Sequence, residues 1–171
     1  MGYNLVYHPH ETLRKKSQKV QRFNKELHTL LAGMKCVLEE KKGCGLAATQ
    51  LDCMQRCFLV KFEETLHTFI NPEITYLSKS TIYYEEGCLS IPGVYAHVER
   101  PKVVHVRAQK EDGEYFEIET DTFLGRIILH EFDHMEGVLF IDHLPKGMRR
   151  KLLLEYEALQ REWGVERIQK Q

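Results

Sequence analysis

The sequence lacks a long apolar run and lacks an excess of either charge. None of its windows reaches the apolar length of a membrane span, and the N-terminus has no apolar segment of the secretory type. The 24 Lys and Arg residues nearly balance the 25 Asp and Glu residues, which leaves a net charge of -1. Such a balance gives no general attraction to nucleic acid or to an acidic membrane surface. We therefore expect a cytoplasmic protein that neither binds DNA directly nor enters a membrane.

Cysteine is scarce, and its number is odd. The chain has five cysteines, and no secretory signal precedes them. This combination favours a reducing compartment and free thiols, of which at least one could be a metal ligand. No internal repeat, low-complexity tract or linker divides the sequence, so the length predicts a single domain over residues 1–171.

Two amphipathic helices are predicted near the ends of the chain. Asn24 can cap a helix that runs to about Glu40, because apolar residues recur there at spacings of three and four. Gly43 is expected to end it. From about Lys146, leucines alternate with charged residues at helical spacing and predict a C-terminal helix that packs on the domain.

Between these helices the sequence is rich in strand signals. β-branched and aromatic residues cluster over residues 57–62, 68–70, 74–77, 81–84, 103–107 and 115–119. The turn at residues 111–113, EDG, is typical of a hairpin. Strands joined by short turns indicate antiparallel sheets and an α+β fold, because parallel sheets need alternating strands and helices.

The most informative stretch is residues 130–134, HEFDH. On a helix, His130 and His134 lie on one face and can bind one metal ion, while Glu131 can act on a water at that ion. The apolar run 123–129 before it predicts a buried helix, capped by Asp121 or Thr122. A core helix whose histidines bond to backbone carbonyls is the alternative, which the five-residue pattern disfavours.

A catalytic metal needs about three protein ligands and an open position. Glu136 lies too close in sequence to the histidines to be the third ligand. Cys88 lies in a stretch flanked by Gly and Pro at a predicted strand end, where a thiolate could reach a metal. A buried cysteine that acts only as a small apolar residue is the alternative. The residues by themselves leave both open.

Three segments in order resemble the motifs of the peptide deformylase family: residues 43–50 (GCGLAATQ), 86–90 (EGCLS) and 130–134 (HEFDH). The likeness extends over about residues 7–144. It implies an α+β fold in which antiparallel β-sheets pack around a central metal-binding helix, with an N-terminal and a C-terminal helix. It also implies removal of the formyl group from the N-terminal formyl-methionine of newly synthesised proteins, with release of formate.

The resemblance implies one divalent metal ion per chain, natively Fe2+, for which Zn2+, Ni2+ or Co2+ substitutes. The implied ligands are Cys88, His130 and His134. The other implied roles fall on Glu131 as general acid/base, Gln50 and the backbone N–H of Leu89 as the oxyanion site, and Gly45, Gly87 and Cys44 as substrate-binding residues.

Some positions depart from the family pattern or remain to be placed. Leu129 stands where the family usually has glutamine, and Arg126 falls close to the expected methionine side-chain pocket. We expect that pocket to include Cys44, Tyr84, Phe123 and Ile127. We also expect a buried ion pair between Glu86 and Arg100, and Asp133 either orienting a histidine N–H or lying on the helix surface.

Two other functions share the helical motif. A zincin-type peptidase would cleave an internal amide, and a non-catalytic metal or redox-sensing module would close the fourth coordination position with a protein side chain. For the deformylase reading, the partners are formyl-Met nascent peptides. The cluster at residues 149–151, RRK, could in addition dock the C-terminal helix on the ribosome.

Overall fold

The computed structural model describes residues 2–163. Within them lie three α-helices: α1 (Lys25–Lys41), α2 (Phe123–Met135) and α3 (Lys146–Trp163). The strands are β1 (Gly45–Ala47), β2 (Cys57–Phe62), β3 (Thr65–Leu77), β4 (Thr81–Cys88), β5 (Ile91–Pro101), β6 (Val104–Gln109) and β7 (Tyr115–Thr120). Short 3-10 helices cover Glu11–Arg14, Ala48–Leu51 and Phe140–His143. Residues 1 and 164–171, which the predicted domain includes, lie outside the described residues.

The strands form two antiparallel sheets. One has five strands in the order β1-β2-β3-β6-β7, and the other is the hairpin of β4 and β5. In the hairpin, Glu86 lies opposite Ala96 and Cys88 lies opposite Ile91, close to the turn. Every described strand pairing is antiparallel. The predicted α+β class is confirmed.

Apart from shifts in the bounds of β4, β6 and β7, the strand predictions differ from the structure in three strands. Residues 68–70 and 74–77 belong to one strand, β3, which continues through an irregularity at Asn71 and Pro72. Asn71 has a left-handed backbone (φ 51°), and its side chain bonds to the N–H and the carbonyl of Val20 at 2.8 and 2.9 Å. β1 and β5 were not predicted, because β1 has three residues and β5 carries Gly93, His97 and Glu99 among its apolar residues.

Helix α1 begins at its predicted cap. The side-chain oxygen of Asn24 accepts the backbone N–H of Leu27 at 3.2 Å, and the predicted apolar face is buried. The prediction for the other end is wrong by one residue. Lys42 takes the left-handed conformation (φ 54°), and Gly43 follows it with its N–H bonded to the carbonyl of Leu38 at 3.2 Å.

Helix α2 is buried in the middle of the molecule. The Thr122 side chain caps it by accepting the N–H of Leu124 at 3.3 Å. The helix ends at Met135, and Gly137 follows with a left-handed backbone (φ 73°). The helix packs on β1 and β2, and Ile128 belongs to a core cluster with the aromatic rings of Phe58 and Phe69. Burying such side chains contributes about 1.5–3 kcal/mol each. The predicted central position of the helix is confirmed.

Helix α3 packs against β5 through Leu152 and Tyr156, which are its buried residues. The Tyr156 hydroxyl donates to the carbonyl of His8 at 3.3 Å and so joins the N-terminal arm to the C-terminal helix. Neither α3 nor any other helix among residues 2–163 has the length and apolar character that a bilayer crossing requires.

Candidate active site

The structure brings Cys88, at the end of β4, against the two histidines of α2. The Cys88 Sγ atom lies 3.3 Å from Nε2 of His134, and the ligand atoms of Cys88, His130 and His134 all lie within 4.8 Å of one another. Two ligands of a tetrahedral metal ion are about 3.5 Å apart. Among residues 2–163, no other cluster of cysteine, histidine and carboxylate groups meets this geometry.

The protonation of His134 suits metal binding. Burial lowers its pKa well below the ordinary value, and the neighbouring His130 lowers it further. The imidazole is therefore neutral at physiological pH, which is the form that ligates metals. Its Nδ1 atom is buried and has no hydrogen-bond partner among the described residues.

His130 is oriented by Glu86 of β4. Its Nδ1 atom lies 2.9 Å from Oε2 of Glu86, which leaves Nε2 for the metal side. Burial would raise the pKa of Glu86, but hydrogen bonds from Arg100 and His130 outweigh it and lower the pKa to about 2. Glu86 is therefore a permanent carboxylate behind the candidate ligand.

Arg100 holds that carboxylate in place and links three elements. It donates to both Glu86 oxygens, at 2.7 and 2.9 Å, so the expected buried ion pair is confirmed. It also donates to Asp133 at 2.6 Å, and His143 lies 2.7 Å from the same Asp133 oxygen. Of the two expectations for Asp133, contact with a histidine nitrogen is the one that the structure supports, but this histidine is His143. The carboxylate beside the candidate ligand His130 is that of Glu86. His143, in a 3-10 helix, carried no sequence signal.

Glu131 lies beside the ligands and is 3% exposed. Its Oε2 atom has no hydrogen-bond partner among the described residues. Burial raises the pKa of its carboxyl to about 7; nearby His130 opposes the rise, and Glu86 and Asp133 add to it. A carboxyl with a pKa near neutrality can both accept and return a proton.

Gln50 is fixed with its amide nitrogen towards the cysteine. Its Oε1 accepts the N–H of Ala47 at 2.9 Å, so its Nε2 is the donor on the other side. Nε2 donates to the Ser90 hydroxyl at 3.1 Å and lies 3.7 Å from Cys88 Sγ. Ser90 was not singled out from sequence, and the only signal it offered was its position two residues after the cysteine.

A cleft of about 430 Å³ opens over these groups. It is lined by the predicted site residues Cys44, Gly45, Gln50, Gly87, Cys88, Leu89, His130 and Glu131. His134 is buried and is not among its lining residues. Of the expected methionine pocket, Phe123 and Ile127 also line the cleft, as does Arg126. The expectation for Tyr84 is wrong, because it does not line the cleft and instead packs on the ring of Phe123, with 5.6 Å between the centroids.

Gly45 and Gly87 are glycines because neighbours approach their backbones closely. A β-carbon at position 45 would lie 2.7 Å from Cδ of Glu131, and one at position 87 would lie 2.6 Å from the ring of Tyr95. Both distances are shorter than real contacts of a β-carbon. The backbone of these two residues therefore forms the immediate wall of the cleft.

The other cysteines take no part in the cluster. All five cysteines are free, as predicted, and Cys57 is buried in β2, where burial raises the pKa of its thiol. Glu136, excluded above as the third ligand, instead pairs with Lys16 at 2.7 Å and with Arg56 at 2.6 Å.

Comparison with known proteins agrees with this geometry. The family model for polypeptide deformylase matches residues 3–150. Peptide deformylase 1 of Burkholderia multivorans is 37% identical over 161 residues, which cover 92% of this chain and 89% of the relative. The peptide deformylase of Treponema pallidum is 40% identical over 143 residues, covering 84% of this chain and 88% of the relative.

Solved structures are similar over the same length. A peptide deformylase from Legionella pneumophila superimposes with a TM-score of 0.85 at 34% identity, covering 94% of this chain and 98% of the other. The enzyme from Synechococcus elongatus, in complex with actinonin, gives 0.87 at 32% identity, covering 91% and 88%. This chain therefore belongs to the polypeptide deformylase family, whose members are metallohydrolases that act on formyl-methionyl peptides.

Proposed function

We propose that this chain removes the formyl group from the N-terminal formyl-methionine of newly synthesised proteins and releases formate. The observation that carries the proposal is the Glu131 carboxyl, whose Oε2 atom is buried without a hydrogen-bond partner among the described residues, in a cleft beside the cluster of Cys88, His130 and His134. Hydrolysis of an unactivated amide requires a proton acceptor next to an electrophilic centre, and these groups can supply both.

We assign Cys88, His130 and His134 as the ligands of one divalent ion per chain, natively Fe2+, with Zn2+, Ni2+ or Co2+ as substitutes. The donor set fits, because one thiolate and two imidazoles bind such ions and no fourth donor joins the cluster within residues 2–163. When bound, the ion supplies a Lewis acid that makes water acidic enough to lose a proton near neutral pH.

The remaining catalytic roles belong to groups of the protein. Glu131 accepts the proton of the attacking water and delivers it to the leaving amine, a role usually worth about 10²–10⁴-fold in rate. The side-chain amide of Gln50 and the backbone N–H of Leu89 donate to the formyl oxygen as it gains negative charge. Loss of one such donor typically costs about 2.7–4 kcal/mol of transition-state stabilisation.

The edge of β1 supports binding of the substrate as an extended strand. β1 is the outermost strand of the five-stranded sheet, and Gly45 within it lines the cleft, as does Gly87 of β4. Main-chain groups on a free edge can pair with a peptide while pockets accept its side chains. We assign Cys44 to the wall of the pocket for the first side chain.

Nascent chains emerge from ribosomes, and we place the activity there, in the bacterial cytoplasm. Arg150 and Lys151 on α3 are exposed, whereas Arg149 pairs with Asp142 at 3.1 Å. We expect Arg150→Glu with Lys151→Glu to abolish co-sedimentation with ribosomes at unchanged activity on short peptides, because the buried Leu152 and Tyr156 are untouched. Unchanged co-sedimentation would exclude docking through this cluster.

The experiment for the function is an anaerobic assay with metal analysis alongside. A formyl-Met tripeptide and the same peptide without the formyl group are incubated with the metal-loaded protein, and formate and internal cleavage are both measured. We expect formate from the first and no cleavage of the second. Internal cleavage without formate would indicate a zincin-type peptidase. In a cobalt-substituted sample, a fourth protein ligand in place of exchangeable water would indicate a sensor.

A further inference from the structure

Arg126 is a buried cation in the cleft that the proposed reaction does not use. Its side chain is 2% exposed, and it lines the cleft from α2. Its Nη2 donates to the carbonyl of Lys102 at 2.9 Å and its Nη1 to the carbonyl of Arg100 at 3.4 Å. Its Nε is buried without a partner, and within residues 2–163 no carboxylate forms an ion pair with it.

An unpaired buried guanidinium is unfavourable. Burial lowers the pKa of Arg126, and the adjacent charge of Arg100 lowers it further. The carboxylate of Glu86 opposes this shift but is already bonded to Arg100. A guanidinium has five N–H donors, and two backbone carbonyls do not satisfy them. A ligand in the cleft that brings a hydrogen-bond acceptor to the guanidinium therefore stabilises it.

The position of Arg126 matches the first side chain of the substrate. Arg126 precedes His130 by one helical turn, about 6 Å along the axis at 1.5 Å per residue. With the formyl carbon at the ligand cluster, a side chain of methionine length spans that interval. Of the α2 residues that line the cleft before His130, Phe123 and Ile127 are apolar and Arg126 is charged.

We propose that Arg126 determines substrate specificity by donating to an acceptor at the end of the first side chain, so that formyl-methionine sulfoxide is a substrate beside formyl-methionine. This inference rests on the proposed function. A sulfoxide oxygen is a strong acceptor, a thioether sulfur a weak one, and norleucine, the hydrocarbon of the same length, has none. A wholly apolar pocket would favour norleucine over the sulfoxide.

The test compares kcat/KM of the metal-loaded enzyme on three formyl tripeptides, which begin with methionine, methionine sulfoxide or norleucine. For the native chain we expect the sulfoxide to be hydrolysed at least as well as norleucine. In Arg126→Met, the sulfoxide-to-norleucine ratio should fall about tenfold or more, the effect of a lost bond from a charged donor. Arg107→Met, in which an exposed arginine of β6 is replaced, should keep the native ratio.

Thermal unfolding separates specificity from structural support. Arg126→Lys keeps a cation but loses the planar set of donors, so its ratio should lie between those of the native chain and Arg126→Met. If both variants unfold earlier and keep the native ratio, Arg126 only ties α2 to the carbonyls of Arg100 and Lys102. If neither variant folds, the kcat/KM values of the native chain on the sulfoxide and norleucine peptides decide. A strong preference for norleucine over the sulfoxide overturns the proposal. Absence of formate from all three peptides contradicts the proposed function instead.

Discussion

Gly45 of β1 lies directly against the carboxylate of Glu131, so closely that a β-carbon on the glycine would stand 2.7 Å from Cδ of the glutamate. Glu131 is buried, and its backbone is fixed within α2. The two residues are 86 positions apart and meet because α2 packs across β1. The glycine thus confines the carboxylate of the proposed acid/base.

Replacing this glycine should therefore displace the glutamate. In Gly45→Ala the methyl group overlaps the Glu131 carboxylate, and overpacking of this kind costs about 1–3 kcal/mol. We expect kcat on formyl-Met peptides to fall at least about tenfold while bound metal stays at the native level, because the ligands are untouched. Metal analysis and formate release measure the two effects.

Gly147→Ala is the matched control. Nothing lies within 4 Å of a β-carbon at Gly147, near the start of α3. This variant should keep native activity, since it only replaces a glycine by a better helix former. Native turnover in Gly45→Ala would show that Glu131 can move without loss, contrary to its proposed role.

Glu86 should control metal affinity without touching the metal. In Glu86→Gln the charge behind His130 is lost, and Arg100 loses one of its two carboxylate partners. Loss of such an orienting group typically weakens metal binding by about 10–100-fold. We expect this loss in competition with a chelator, followed by metal analysis.

Glu85→Gln makes the same chemical change one residue earlier on β4. Glu85 is exposed at the cleft, and within residues 2–163 it forms no hydrogen bond to a candidate ligand, so its variant should retain native metal affinity. Equal affinities for the two variants would mean that the hydrogen bond of Glu86 to His130 does not support the site.

Asp142 should contribute stability that acid removes. Burial raises the pKa of its carboxyl, but hydrogen bonds from Arg14 and from the N–H of Leu139 outweigh burial and lower the pKa below its ordinary value. A lowered folded-state pKa stabilises the protein above the unfolded-state pKa of about 3.9, and the contribution disappears as pH falls through the folded-state value.

The expected result is a pH-dependent difference in Tm between the native chain and Asp142→Asn. The native chain should unfold at the higher temperature at neutral pH, and the difference should shrink below pH about 3.9. Asp121→Asn, at an exposed aspartate before α2, provides the reference for a surface change. A difference that stays constant across the acid range would exclude the charge of Asp142 as its cause.

The helices and several of the shorter strands were predictable because their signals are local. Asn24 and Thr122 cap their helices as the sequence indicates, and β2 has the predicted bounds. β5 was missed because the outer face of its hairpin is exposed, which leaves His97 and Glu99 among its apolar residues. The local sequence of a strand does not determine which of its faces another element will cover.

The candidate site was predictable as far as residue types and spacing allowed. Two histidines one turn apart identify a metal-binding helix, but the third ligand came from family likeness, since Cys88 lies 42 residues before His130. The prediction of which carboxylates bond to the candidate ligands was partly wrong. Asp133 is adjacent to His134 in sequence, yet its partners are Arg100 and His143. The candidate ligand that a carboxylate supports is His130, through Glu86, and only the folded arrangement of β4 and α2 brings these two residues together.

The central claim is that Glu131 moves the proton in hydrolysis of a formyl group at the metal site. The most direct measurement is formate release from a formyl-Met peptide by Glu131→Ala, made anaerobically with metal content determined on the same sample. We expect one metal ion per chain, as in the native protein, and a rate lower by at least about 10²–10⁴-fold. Hydrolysis at the native rate by the metal-loaded variant would contradict the account.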